Sequence, residues 1–132
     1  MLVVDTSVWI DYFNGKDTAS VSCLDRFIEN DFIVVGDIVL MELLQGFRLQ
    51  KDFETCQSLL DTFLFREMLG KDIAVASAKN YRYLRQRGVT VRKSIDVVIG
   101  TFCLENQYPL LHSDKDFLPM EKHLGLKTPN LK

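Results

Sequence analysis

Four carboxylates stand apart from the other acids of the chain. Asp5 ends the run Met1-Leu2-Val3-Val4 and precedes Thr6-Ser7. Glu42 is set inside Ile38-Val39-Leu40-Met41-Glu42-Leu43-Leu44, and Asp96 inside Ile95-Asp96-Val97-Val98-Ile99. Asp114 follows Leu110-Leu111-His112. Most other Asp and Glu residues have polar neighbours and read as solvated surface. Carboxylates brought into one place raise each other's pKa, so four of them need a compensating charge. A hard divalent cation answers that need, because Mg²⁺ takes oxygen ligands and keeps several waters. Such a site suits phosphoryl transfer, in which the ion polarises a phosphorus–oxygen bond and activates water. Each acid also has a structural reading: Asp5 in a turn, Glu42 on the wet edge of a helix, Asp96 beside a helix dipole, Asp114 as a turn residue.

The elements that would position these acids follow from hydrophobic patterning. Leu2 to Val4 is a continuous apolar run with two β-branched residues, the pattern of a strand buried on both faces. Thr6 or Ser7 is expected to cap a helix carrying Val8, Trp9, Tyr12 and Phe13, stopped at Asn14-Gly15. A second helix is expected from Thr18 to Asn30 and a second strand from Phe32 to Val35. Asp37 is expected to cap a third helix ending at Gly46, and a fourth helix spans Lys51 to Phe63. A third strand falls within Phe63 to Met68. Asp72 is expected to cap a long helix to Arg87, closed by Gly88, and Ser94 a helix from Ile95 to Glu105. Leu110 to His112 is a fourth strand. Asp114 to His123 forms a loop and short helix, and the tail around Leu126 adds an edge strand. Strands alternating with helices predict a parallel sheet covered on both faces. In such sheets ligands bind just outside the carboxyl ends of the strands, which is where Asp5, Asp96 and Asp114 fall; Glu42 reaches the same crevice from its helix.

The chain has 132 residues, 47% of them hydrophobic. That is the size of one domain with a real core, and it is read as a single domain over 1–132. A formal net charge of -2 gives no global basic signature, so nucleic acid would have to be held by a local patch. That patch is at hand in Lys79, Arg82, Arg85, Arg87, Arg92 and Lys93, which lead directly to Asp96; its other reading is a solvated helix face and loop. No apolar run approaches the roughly 20 residues of a membrane span, and no signal peptide is expected. Cys23, Cys56 and Cys103 are odd in number and lack metal-ligand spacing, which fits buried thiols in a reducing cytoplasm. There is no G-x-G-x-x-G, no G-x-x-x-x-G-K-[ST] and no G-x-S-x-G.

Val4-Asp5-Thr6-Ser7-Val8-Trp9-Ile10-Asp11-Tyr12-Phe13, Met41-Glu42-Leu43-Leu44-Gln45-Gly46, Ile95-Asp96-Val97-Val98-Ile99-Gly100 and Leu111-His112-Ser113-Asp114-Lys115-Asp116-Phe117 resemble, in order and spacing, the PIN domain. More narrowly they resemble the VapC-type toxins of bacterial toxin–antitoxin pairs. The resemblance implies a three-layer α/β/α fold around a mainly parallel sheet. It also implies an endoribonuclease dependent on Mg²⁺ or Mn²⁺, with a catalytic quartet at Asp5, Glu42, Asp96 and Asp114. Asp5 and Asp96 would be the principal metal ligands, with Thr6, Ser7, Ser113 and Asp116 as supporting residues. His112 has no role in that pattern. The basic stretch Arg82, Arg85, Arg87, Arg92 and Lys93 would hold RNA, with tRNA or rRNA as the substrate expected. A cognate VapB-type antitoxin would lie on an apolar groove, for which Trp9, Tyr12 and Phe13 on the short first helix are the candidates, and the toxin itself would form a homodimer. A PIN module that binds RNA or protein without cleaving, and a Mg²⁺-dependent phosphatase or receiver-like domain, are the alternative readings. The first must discount four acids in place, and the second lacks an aspartyl-nucleophile motif.

Overall fold

The structure, a computed structural model, describes residues 1–131. Along the chain run β1 (Leu2–Val4), α1 (Thr6–Phe13), α2 (Ala19–Glu29), β2 (Ile33–Gly36), α3 (Asp37–Gln45), α4 (Gln50–Leu60), β3 (Leu64–Arg66), α5 (Lys71–Gln86), α6 (Ser94–Asn106) and β4 (Leu110–Leu111). A turn of 3-10 helix (Lys115–Phe117) and α7 (Leu118–Leu124) follow. The strands form one sheet in the order β3-β2-β1-β4, with every pairing parallel. The register sets Leu2 opposite Ile33, Val3 opposite Leu110 and Val34 opposite Leu64. Right-handed crossovers put the helices leading outward to β3 on one face and those returning to β4 on the other. Accordingly α1 packs on α2 and α3, whereas α5 packs on α6 and α7. The result is a three-layer α/β/α fold, as the alternation of elements predicts.

The central strands β1, β2 and β4 are buried throughout, as their unbroken apolar runs require. β3 is an exposed edge strand. Trp9 is fully buried beneath α1, stacked on Phe13 and set edge-on to Tyr12.

Five sequence-based expectations are corrected. Asp5, not Thr6 or Ser7, caps α1: its carboxylate accepts the Ser7 N–H. Gly36 occupies the cap position of α3, and Asp37 is the first helical residue. Its Oδ1 instead accepts the N–H of Ile38 at 2.8 Å and of Met68 at 2.9 Å, tying the end of β2 to the loop after β3. Gly70, at φ 119°, precedes α5, with Asp72 inside the first turn. Lys93 precedes α6, and Ser94 is its first residue without a capping bond. Leu126 is buried but forms no strand; the tail meets the sheet through a ladder-like bond, Leu110 N–H to the Lys127 carbonyl at 2.9 Å. In a 3.3 Å-per-residue strand the next donor would come two residues on, and β4 has already ended there.

Candidate metal centre

Parallel strands share one carboxyl edge, and each acid is delivered to it by a different element. Asp5 follows β1, Asp114 follows β4, Asp96 lies in the first turn of α6 and Glu42 in the second turn of α3. Asp5 and Asp96 are almost fully buried, at 5% and 4% exposure, which is unusual for ionisable groups without a strong partner.

Hydroxyls organise the Asp5 side. Asp5 Oδ2 accepts the Ser7 N–H at 3.1 Å and the Ser7 hydroxyl at 2.6 Å. The Ser113 N–H donates to Ser7 Oγ at 3.1 Å, so one hydroxyl joins the ends of β1 and β4. Ser113 Oγ in turn reaches Ser20 Oγ on α2 at 3.3 Å. Thr6 Oγ1 donates to Glu42 Oε1 at 3.1 Å, holding the α3 acid toward β1.

On the Asp114 side, Asp114 Oδ1 accepts the Asp116 N–H at 2.9 Å. One carboxylate oxygen from each of Asp96, Asp114 and Asp116 lies within 4.8 Å of the others. Oxygens opposed across an Mg²⁺ ion stand about 4 Å apart, so a small side-chain shift closes this set around a cation. Asp96 Oδ2 is buried with no hydrogen-bond partner. An orphaned buried oxygen on a carboxylate that clusters with two others fits a cation ligand.

Electrostatics place all four acids in one field. Burial first, then the charges of Asp5, Asp114 and Glu42 against the opposing pull of Lys93, push the Asp96 carboxyl up to about 6. Glu42 is also raised, first by burial; the Thr6 hydrogen bond and Lys93 oppose this, while Asp5 adds to it. Both shifts favour the protonated, uncharged forms until a cation supplies positive charge.

The family model of the PIN domain matches residues 2–122. The chain belongs to the PIN domain family. Over 122 residues it is 27% identical to Ribonuclease VapC11 of Mycobacterium tuberculosis, covering 89% of each chain. It is 26% identical over 126 residues to Ribonuclease VapC1 of Methanocaldococcus jannaschii, covering 96% of this chain and 85% of that one. The fold also matches the crystal structure of FitAcB from Neisseria gonorrhoeae, with a TM-score of 0.77 at 18% identity over 99% of this chain and 98% of that one. A second match is the crystal structure of VapBC2 from Rickettsia felis bound to a promoter DNA fragment, with a TM-score of 0.73 at 19% identity over 98% of this chain and 97% of the other.

Around the acids of this PIN domain the basic stretch divides. Arg92 pairs with Asp116 at 3.0 Å, at the edge of the carboxylate cluster. Lys93 is exposed and acts on both Glu42 and Asp96. Arg87 stacks over Tyr83 at 3.3 Å and donates to the Tyr83 carbonyl. Arg82 and Arg85 line a cavity between α5 and α6. On α1, Trp9 is core and offers no partner surface, because its indole is enclosed against Phe63 under the helix. Tyr12 and Phe13 are half-buried, and Phe13 continues into a 200 Å³ cleft with Ile10, Leu43 and Phe47 that ends at Glu42.

Sequence reasoning gave His112 no role. Its ring is enclosed, with Nε2 2.6 Å from Glu121 Oε2. Nδ1 accepts the Asp114 N–H at 3.3 Å. That bond makes Nδ1 the acceptor, so Nε2 carries the proton donated to Glu121. The pair steadies the turn that presents Asp114. Only the adjacency of His112 to Asp114 was visible in the sequence, since Glu121 comes from α7. No helix among the described residues is long and apolar enough to cross a membrane.

Proposed function

We propose that this PIN domain is a divalent-metal-dependent endoribonuclease, the toxin of a toxin–antitoxin pair, cutting RNA at the carboxyl edge of its sheet. The observation that carries the reading is the convergence of one carboxylate oxygen each from Asp96, Asp114 and Asp116, with Asp96 Oδ2 left unpartnered and Asp5 and Glu42 acting on the same carboxyl. A donor set made only of carboxylate oxygens selects a hard cation, Mg²⁺ or Mn²⁺. When bound, such an ion polarises the scissile phosphodiester and lowers the pKa of water. Asp96 and Asp114 would hold it, with Asp5 completing the site from β1. Ser7 fixes the orientation of the Asp5 carboxylate, and Thr6 fixes that of Glu42. Glu42, its carboxyl raised first by burial, is the acid placed to accept or return a proton. Lys93 and Arg92 sit where the RNA phosphates approach the acids, offsetting the repulsion between carboxylates and backbone.

The antitoxin is proposed to lay an apolar helix face into the cleft of Ile10, Phe13, Leu43 and Phe47. Because Glu42 ends that cleft, a basic side chain of the partner would reach the acids from it. The toxin is proposed to act as a homodimer.

The experiment is incubation of the purified protein with a mixed tRNA and rRNA pool, with Mg²⁺, with Mn²⁺ and with a chelator. Discrete cleavage products that need the metal and disappear in Asp96→Asn are expected. Intact RNA under every condition overturns the reading in favour of a non-cleaving module.

A further inference from the structure

We propose that the cavity between α5 and α6 is a nucleobase pocket, taking an unpaired base of the RNA strand whose phosphodiester lies at the acids. The proposal rests on the ribonuclease reading and deepens it by naming single-stranded RNA with an extruded base as the substrate class.

The cavity encloses about 520 Å³, ample for one base, and its floor is the apolar surface of Val97 and Val98. Tyr81 lines it, with the Arg85 guanidinium 5.8 Å from the ring centroid. Unpaired bases stack on aromatic rings and guanidinium planes alike. Ser77 also lines the cavity; it is 7% exposed, and its hydroxyl is buried with no hydrogen-bond partner. A buried hydroxyl left unmet costs stability in the free protein, and the edge of a base can satisfy it as donor or acceptor. Arg82 and Arg85 add positive charge at the rim, which complements a phosphate backbone.

Position ties the cavity to the acids. Ser94, which lines it, is the first residue of α6 and lies two residues before Asp96. Lys93 beside it acts on both Asp96 and Glu42. A cationic path therefore leads from the carboxylates over the start of α6 into the pocket. A second copy of the chain is the weaker occupant. A two-fold contact here would bring both copies' Arg82 and Arg85 into one interface, with no acid in the cavity wall to offset them.

The test uses the full chain carrying Asp5→Asn, so that bound RNA stays intact, and a fluorescent single-stranded RNA 10-mer. A matched set of oligomers carries one abasic nucleotide at each position in turn. Tyr81→Leu is expected to weaken binding about tenfold, the usual effect of losing one stacked base. One abasic position should weaken binding comparably in the parent but not in Tyr81→Leu, since both remove the same contact. If Tyr81→Leu fails to fold by circular dichroism, Ser77→Ala and Arg82→Gln carry the same expectation. Unchanged affinity in these variants, or no positional effect of the abasic nucleotide, overturns the pocket. So does a variant that breaks up a dimer in sedimentation while RNA affinity holds. Cleavage by the wild-type chain is scored separately, so a failed pocket with intact cleavage leaves the ribonuclease reading standing.

Discussion

The Ser7 hydroxyl donates to Asp5 Oδ2 across 2.6 Å. Ser7 Oγ in turn accepts the Ser113 N–H, so the orientation of the Asp5 carboxylate depends on a residue distant in the chain. Ser7→Ala should therefore loosen Asp5 and separate the ends of β1 and β4. Loss of a bond that orients a metal ligand costs about 10–100-fold in affinity or activity. A titration of Mn²⁺ against Ser7→Ala, alongside cleavage rates, checks this. Ser7→Thr keeps the hydroxyl and should recover most of the loss.

Asp96 gives a pH dependence with a defined sign. Its carboxyl is raised from 3.8 to about 6, first by burial and then by Asp5. The folded state thus holds this proton more tightly than the unfolded chain, and metal-free stability falls as pH rises from about 4 to about 6. At 1.36 kcal/mol per unit, the ionised form costs up to about 3 kcal/mol at neutral pH. Asp96→Asn should raise the melting temperature of the chelated protein at pH 7 and lose that advantage near pH 4. Equal melting temperatures at pH 7 would show that the carboxylate is not destabilised.

Thr6 donates to the ionised form of Glu42 and so opposes the upward shift that burial imposes. Thr6→Val removes the donor at nearly constant volume. The acidic limb of the pH–rate profile should move to higher pH, with the rate at high pH changed much less. A uniform loss at every pH would mean that Thr6 only shapes the backbone.

The core and the order of elements were legible because each central strand is an unbroken apolar run and each helix has a periodic stripe. Helix starts were less legible. Asp5, Thr6 and Ser7 are all good caps, and only tertiary contacts decide among them: Ser7 is drawn to the β4 end, leaving Asp5 to cap. Asp37 was diverted in the same way, to the Met68 N–H. The four acids could be singled out from their apolar settings and, for three of them, from their places at strand ends or helix starts. The involvement of Asp116 in the tightest oxygen cluster, the Glu121 partner of His112 and the burial of Trp9 all depend on packing between distant segments, which local pattern does not carry.

Gly36 ends β2 directly against Met68, and an added Cβ would run into the Met68 thioether. Met68 is wholly buried, so it has little room to swing away. Gly36→Ala should destabilise by about 1–3 kcal/mol, the usual cost of overpacking. Adding Met68→Ala in the same chain should relieve the clash but leave a cavity. Chemical denaturation of the two single variants and the double should show a non-additive gain; strict additivity would place the strain elsewhere.

The half-buried Tyr12 and Phe13 give a test of the partner surface. Phe13→Ala, which removes a wall of the cleft, should weaken binding of the proposed antitoxin peptide by at least tenfold, or about 1.4 kcal/mol, while the free protein keeps most of its cleavage. Calorimetric titration of the peptide against both proteins decides it. Equal affinities would place the antitoxin on another face.

β1 is made of the first residues of the chain, and its neighbour β4 pairs with it through Leu110 and Leu111. During synthesis β1 can join β2 early but must leave its other edge open until β4 has emerged. Asp5 stands ready long before Ser113 and Asp114 arrive. Until β4 and the residues after it have been made, the carboxylate cluster of Asp96, Asp114 and Asp116 cannot assemble. Non-local pairing of this kind also slows folding.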